Sequence, residues 1–191
     1  ENDASKAMIY YSLGTAHDDL SKLNGNRNEE SFQKILYFFR KSIKLIESDK
    51  YKDEKYSPFV LSQKEILYTN YANALDHCGR KIAAIEQYKK VLSFHSDFGM
   101  ALGNLGRVYH HYGILEYDDS HKDLFHYFAY HYLGKAIDCT DPNTHDAAKK
   151  CFKATMEAYA HEYIKNVLTS ELSFNQYVYD NPEELTYREW C

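Results

Sequence analysis

Apolar and small residues recur at helical spacing through residues 65–113, the most regular stretch of the chain. Counted from Glu65 as position 1, positions 4, 8, 15, 20, 24 and 27 hold Tyr68, Ala72, Gly79, Ala84, Tyr88 and Val91. This order predicts a helix, a turn at Gly79 and a second, antiparallel helix, because glycine adopts the left-handed conformation that ends a helix at least cost. Ala72 and Ala84 are the predicted crossing points, since paired helices approach most closely where side chains are small.

The pattern restarts at Gly99, where positions 4, 7, 8, 11 and 15 hold Leu102, Leu105, Gly106, Tyr109 and Gly113. Leu105, Gly106 and Tyr109 spell the L-G-x-x-Y part of the tetratricopeptide (TPR) signature. The chain therefore resembles a TPR protein. The resemblance implies an all-α fold, a right-handed superhelix of about three TPR helix hairpins with a C-terminal capping helix. An ordinary amphipathic bundle is the alternative, but it would not require the ordered small and glycine positions.

The remaining sequence extends this organisation on both sides. Leu13 and Gly14 occupy the L-G positions of an earlier, degenerate repeat, so the hairpins are predicted over about 4–46, 65–96 and 99–141, with a cap over 144–168. Residues 47–62 and 114–126 interrupt the period. The first interruption is either a binding insertion on one face or a longer, solvated return helix that stops at Ser57 and Pro58.

Composition and charge narrow the function classes. The 191 residues are 44% hydrophobic and 27% charged, which is typical of a globular chain. A net charge of −5 argues against general affinity for nucleic acid. No apolar run approaches membrane-spanning length, and no secretory signal pattern is present. Four cysteines without CxxC spacing favour free thiols in a cytoplasmic setting.

Catalytic and metal-binding patterns are missing from the sequence. There is no GxSxG, no phosphate-binding glycine loop and no HExxH motif. His121, His126 and His131 are spaced by five residues, about 140° apart around a helix, so they would not all face one ion. We therefore expect no enzyme activity, no catalytic residue, no metal and no cofactor from this chain.

In TPR hairpins the first helices line a concave groove, and the resemblance carries that role to polar residues of this chain. The groove residues expected to bind a partner are Asn70, Asn73, His77, Asn104, Arg107 and His111. The same positions also hold Tyr11, Thr15, Asp18, Asp19, Thr69, Asp76, Gly103 and His110. Asparagine both donates and accepts hydrogen bonds, so it can hold the backbone of an extended peptide, and Arg107 could pair with a carboxylate. A solvated helix face is the alternative reading of the same residues.

A narrower resemblance covers most of residues 97–191. DFGMALGNLGRVYHHYG, the following LEYDDSHKDLFHYFAYHYLGKAI and the terminal YREWC are similar to a bacterial family that joins an N-terminal TPR region to a C-terminal HEPN domain. HEPN domains occur in many RNA-cleaving toxin and defence proteins. Their signature, an arginine followed after four to six residues by a histidine, is not found here. The resemblance implies the regulatory half of such a protein, without its ribonuclease.

The chain begins at Glu1 and stops within the irregular stretch 169–191, so we expect a fragment that leads toward a missing downstream domain. A processed mature chain is the alternative. Two functions follow. The first is a protein–protein interaction or regulatory TPR module that binds a peptide or partner segment in its groove. The second is a ligand-sensing regulatory half of a HEPN-type ribonuclease, with a closed pocket gripped by residues 114–126 and a HEPN domain in the parent chain as partner.

Overall fold

A computed structural model describes residues 3–25, 27–48 and 57–169 and shows helices throughout them. In chain order these are α1 (Asp3–Leu23), α2 (Glu29–Ile46), α3 (Ser57–His77), α4 (Lys81–Phe94), α5 (Gly99–Leu115), α6 (Asp119–Asp138) and α7 (Asp146–Thr169). The described part of the chain contains no strand, so the all-α prediction is confirmed. The chain divides into two compact units, Glu1–Ala101 and Leu102–Cys191, with the boundary inside α5.

The first unit is built from two antiparallel helix pairs, α1 with α2 and α3 with α4, and α2 also packs on α3. Ala72 and Ala84 are fully buried, as expected for small residues at a helix crossing. Gly79 has a φ of +79°, so the predicted left-handed turn that separates α3 from α4 is confirmed. At the N-terminus of α2, Asn28 accepts a 2.9 Å hydrogen bond from the backbone N–H of Ser31 and caps the helix.

A buried tyrosine ties the two pairs of the first unit together. The hydroxyl of Tyr68 on α3 donates to the carboxylate of Glu47, the residue that caps the end of α2. Lys90 of α4 reaches the same carboxylate at 2.6 Å and lies 4.7 Å above the Tyr68 ring centre. Burial and the Glu47 carboxylate both raise the pKa of the Tyr68 hydroxyl, so it remains a hydrogen-bond donor at neutral pH.

The second unit places glycine where α5 meets its neighbours. A Cβ added at Gly106 would lie 2.8 Å from Cγ of Leu133 and 3.1 Å from the carbonyl oxygen of Ala129, both on α6. A Cβ at Gly103 would lie 2.1 Å from the ring of Phe152 on α7. Bare backbone on α5 is therefore what allows α6 and α7 to approach this closely.

Two expectations about the chain's interruptions require correction. The second helix ends at Ile46, and Ser57 and Pro58 begin α3 rather than ending α2, because proline is well tolerated in the first turn of a helix. Residues 119–126 belong to α6, so only three residues separate α5 from α6, and the residues that interrupt the period lengthen these helices instead of forming a separate loop. Gly113, at the repeat position that Gly79 holds in the preceding hairpin, lies inside α5 against the His126 ring and does not form a turn.

Candidate functional site: the polar surface of α1 and α3

The first helices of the two hairpins in the first unit lie side by side and contact each other directly. Nδ2 of Asn70 on α3 donates a 3.0 Å hydrogen bond to the hydroxyl oxygen of Tyr11 on α1. Both residues are half-buried, so they keep access to solvent. The Tyr11 ring packs against Phe39 of α2 with ring centres 6.3 Å apart, which fixes where its hydroxyl points. We call the surface formed by Tyr11, Thr15 and Asp18 of α1 and Asn70, Asn73 and His77 of α3 the polar surface.

Asn73 lies one helical turn beyond Asn70 and has a bracing role as well. Its Oδ1 accepts a 2.6 Å hydrogen bond from the hydroxyl of Tyr88 on α4, whose side chain is almost completely buried. This bond ties α3 to α4 within the hairpin. One face of Asn73 is thus committed to the fold, and the half-buried remainder lies on the polar surface.

Charged groups gather at the end of the polar surface where α1 and α3 terminate. Asp18 pairs with Lys22 at 2.5 Å and lies 4.0 Å from Arg27, in the connection between α1 and α2. Asp76 pairs with Lys81 at 2.6 Å. His77 lies among these groups, and partial burial of its ring, followed by the positive charge of Arg27, lowers its pKa. This end of the surface therefore offers a neutral imidazole beside both signs of charge.

The other three predicted groove residues lie on α5 in the second unit. Asn104, Arg107 and His111 repeat the spacing of Asn70, Asn73 and His77, each 34 residues further along the chain. Spacings of three and four residues place each triad on one face of its helix. Asn104 is half-buried, whereas Arg107 and His111 are exposed. The structure thus shows two triads, each on a single helix and each accessible.

Three of the further positions assigned to the groove are not accessible. Thr69 and His110 are 3% and 6% exposed, and Gly103 lies under the Phe152 ring of α7. All three are wrong as groove residues, because packing within each unit buries them. Sequence reasoning also missed Arg27 and Lys22. Nothing in the local pattern around them indicates that they lie beside His77, since that proximity depends on how α1 packs against α3.

The second unit buries histidines outside both triads. His110 of α5 and His126 of α6 are 6% and 3% exposed, with ring centres 6.5 Å apart. Burial, then His111, His126 and Arg107, lower the pKa of His110 to about 3. Within residues 3–25, 27–48 and 57–169, no group of three His, Cys, Asp or Glu side chains is arranged to hold a metal ion.

The comparisons with known proteins identify no relative. No protein-family model matches the chain, and neither the curated proteins nor the solved structures contain a significant match. None of the helices in the described residues has the length and apolarity needed to cross a membrane.

Proposed function

We propose that this chain is a TPR-type interaction module, a right-handed superhelix of helix hairpins that binds an extended peptide segment of a partner protein and has no catalytic activity of its own. We place it in the cytoplasm, in a regulatory role. The proposal is supported by helix pairs with small residues at their crossings and by the accessible polar triads at a 34-residue offset.

The hydrogen-bond pair of Tyr11 and Asn70 is the observation that carries the proposal. The amide of Asn70 uses its N–H to donate to Tyr11, and its Oδ1 accepts no hydrogen bond within the described residues. The Tyr11 hydroxyl accepts that bond and keeps its own hydrogen to donate. The pair therefore presents one donor and one acceptor side by side on a half-buried surface.

A peptide backbone offers the complement of this pair. Its C=O can accept from the Tyr11 hydroxyl while a neighbouring N–H donates to Oδ1 of Asn70. Neither contact depends on the side chains of the peptide, so specificity would come from neighbouring groups. At one end of the polar surface, the pairs of Asp18 with Lys22 and of Asp76 with Lys81 lie beside the His77 imidazole and favour a peptide with a polar residue there. The α5 triad offers the same amide and cation chemistry and is a second proposed binding element.

Selection from a random-peptide display library, followed by fluorescence anisotropy with one selected peptide, tests the proposal. We expect Tyr11→Phe and Asn70→Ala each to weaken binding about fivefold, because each removes roughly one hydrogen bond worth about 1 kcal/mol. Tyr117→Phe is the matched control, since Tyr117 is 99% exposed and lies in the other unit. Both variants also lose the bond between Tyr11 and Asn70, so their melting temperatures should fall by a few degrees, while far-UV circular dichroism at the binding temperature should match the control.

Two outcomes would contradict the proposal. One is a library that yields no peptide bound by the wild-type chain. The other is a selected peptide that binds Tyr11→Phe, Asn70→Ala and the wild type with equal affinity, because the peptide then uses a different surface.

A further inference from the structure

The outward side of the first hairpin exposes a stripe of apolar residues on α1. Tyr10, Leu13, His17 and Leu20 recur at spacings of three and four residues, which places them on one side of the helix. Leu13 and Leu20 are 38% and 53% exposed. This stripe lies apart from Tyr11 and Asp18, so it does not belong to the polar surface.

A second stripe on α2 joins the first. Its members are Glu30, Lys34, Tyr37, Phe38 and Lys41. The Phe38 ring stacks on His17 at 5.2 Å and on Tyr10 at 6.3 Å, and the Tyr37 ring meets the edge of Phe38 at 5.4 Å. The two stripes therefore form one continuous surface, which we call the aromatic face. An open cavity of about 530 Å³ lies within it, lined in part by His17, Lys34 and Tyr37.

The second hairpin shows what covers a face of this kind. We align α1 with α3 so that Gly14 corresponds to Ala72, the small residue at the same repeat position. Tyr10, Leu13 and His17 then correspond to Tyr68, Tyr71 and Leu75. Tyr68 and Leu75 are buried, at 1% and 3% exposed. The α2 helix covers that side, with Phe39 against Tyr71 at 6.4 Å and Glu47 on the Tyr68 hydroxyl. The side of α3 that corresponds to the aromatic face thus receives a helix, and contiguous exposed apolar side chains mark an interaction site.

We propose that the aromatic face is the interface of a twofold-symmetric homodimer, with α2 of one copy antiparallel to α2 of the other. In such an isologous contact each face meets an identical face, so the surface must complement itself. On the aromatic face, Glu30 and Lys41 supply opposite charges, and Tyr37 and Phe38 supply the rings.

The distribution of charge along α2 selects a second copy as the occupant. Glu30, whose Oε1 pairs with Lys34 of its own helix at 2.7 Å, lies at one end of the stripe and Lys41 at the other. They are eleven residues apart, roughly 16 Å along the helix. Antiparallel helices bring Glu30 of each copy opposite Lys41 of the other, which makes two equivalent ion pairs per dimer. Within the described part of the chain, Lys41 meets only the ring of Tyr37, at 5.3 Å, and no carboxylate. Tyr37 then lies near the twofold axis, where the cavity can receive the ring of the second copy.

Sedimentation equilibrium of the purified chain over a wide concentration range tests the proposal directly. We expect the wild type to dimerise, and Glu30→Lys or Lys41→Glu alone to weaken the dimer tenfold or more, because each change creates two like-charge contacts. The double variant Glu30→Lys with Lys41→Glu restores opposite charges across the axis and should recover the dimer. Lys150→Glu on α7 changes the net charge by the same amount as Lys41→Glu and should leave the dimer intact.

Several results would overturn the dimer. The proposal is wrong if the wild-type chain stays monomeric at the highest concentration, which is the result expected if another helix or partner covers this face. It is also wrong if the dimer tolerates both single substitutions. A double variant that stays monomeric, although its circular dichroism and melting temperature match the wild type, contradicts it as well. These outcomes leave peptide binding by the polar surface unaffected, because the two surfaces share no residue.

Discussion

Replacing Gly106 by alanine tests whether α5 and α6 cross at that residue. An ideal Cβ at position 106 lies 2.8 Å from Cγ and 3.0 Å from the backbone nitrogen of Leu133, and 3.1 Å from the carbonyl oxygen of Ala129. Non-bonded carbon atoms prefer separations of about 3.5–4.0 Å, so the added methyl group overlaps all three atoms. Two of them belong to the backbone, and Leu133 is fully buried, so side-chain rotation does not relieve the clash.

The magnitude follows from two opposing contributions. Overpacking a buried contact costs about 1–3 kcal/mol, and a clash against backbone belongs at the upper end of that range. Alanine gains about 1 kcal/mol over glycine in a helix interior. We therefore expect Gly106→Ala to lower the free energy of unfolding by about 1–2 kcal/mol.

Gly134 provides the matched control on α6. A Cβ at that position meets nothing within 4 Å, so Gly134→Ala gains the helix propensity without a clash and should stabilise the chain by about 1 kcal/mol. Urea unfolding followed by far-UV circular dichroism measures both variants. If Gly106→Ala gains stability as Gly134→Ala does, α5 and α6 do not cross at Gly106 and the packing of the second unit is wrong.

Two further predictions concern the first hairpin crossing and the buried histidines. Ala84→Tyr should unfold the α3–α4 pair, because a ring has no room at a fully buried crossing, whereas Ile82→Tyr, at a 44% exposed position, should not; limited proteolysis distinguishes them. The pKa of His110 is about 3 in the folded chain and near 6.5 in the unfolded chain. The stability that the neutral His110 ring contributes is therefore fully present above pH 6.5. As the pH falls from 6.5 toward 3, the free energy of unfolding decreases by about 1.4 kcal/mol per pH unit. Urea unfolding at pH 7.5 and 4.5 should show a smaller loss for His110→Asn than for the wild type; equal losses would exclude His110 as the cause.

The fold was predictable from sequence where a residue's size alone decides its place. Ala72, Ala84 and Gly106 occupy tight crossings because no larger residue fits, and Gly79 turns because a left-handed backbone suits glycine. Gly113 shows the limit of this reasoning. It occupies the same position in the repeat as Gly79, yet it serves a close contact with the His126 ring, and the letter does not distinguish a turn from a close contact.

The candidate site was predictable only in part. Helical periodicity places Asn70, Asn73 and His77 on one face of α3. It does not reveal that Asn70 bonds to Tyr11, 59 residues earlier, since that contact depends on how two hairpins stack. Thr69 was misplaced for a related reason. The α3 helix packs against several neighbouring helices, so more than one of its sides is buried. The position of a residue within the repeat does not show how much of each side a neighbouring helix covers.

The close approach of Phe152 to Gly103 has a consequence for biosynthesis. During translation α5 emerges from the ribosome about fifty residues before the ring that will shield its main chain. Until then the backbone at Gly103 has no side chain to shield it from water. The second unit therefore stays incomplete after α5 and α6 have been synthesised. Its maturation therefore waits for α7, the last of the described helices to be synthesised.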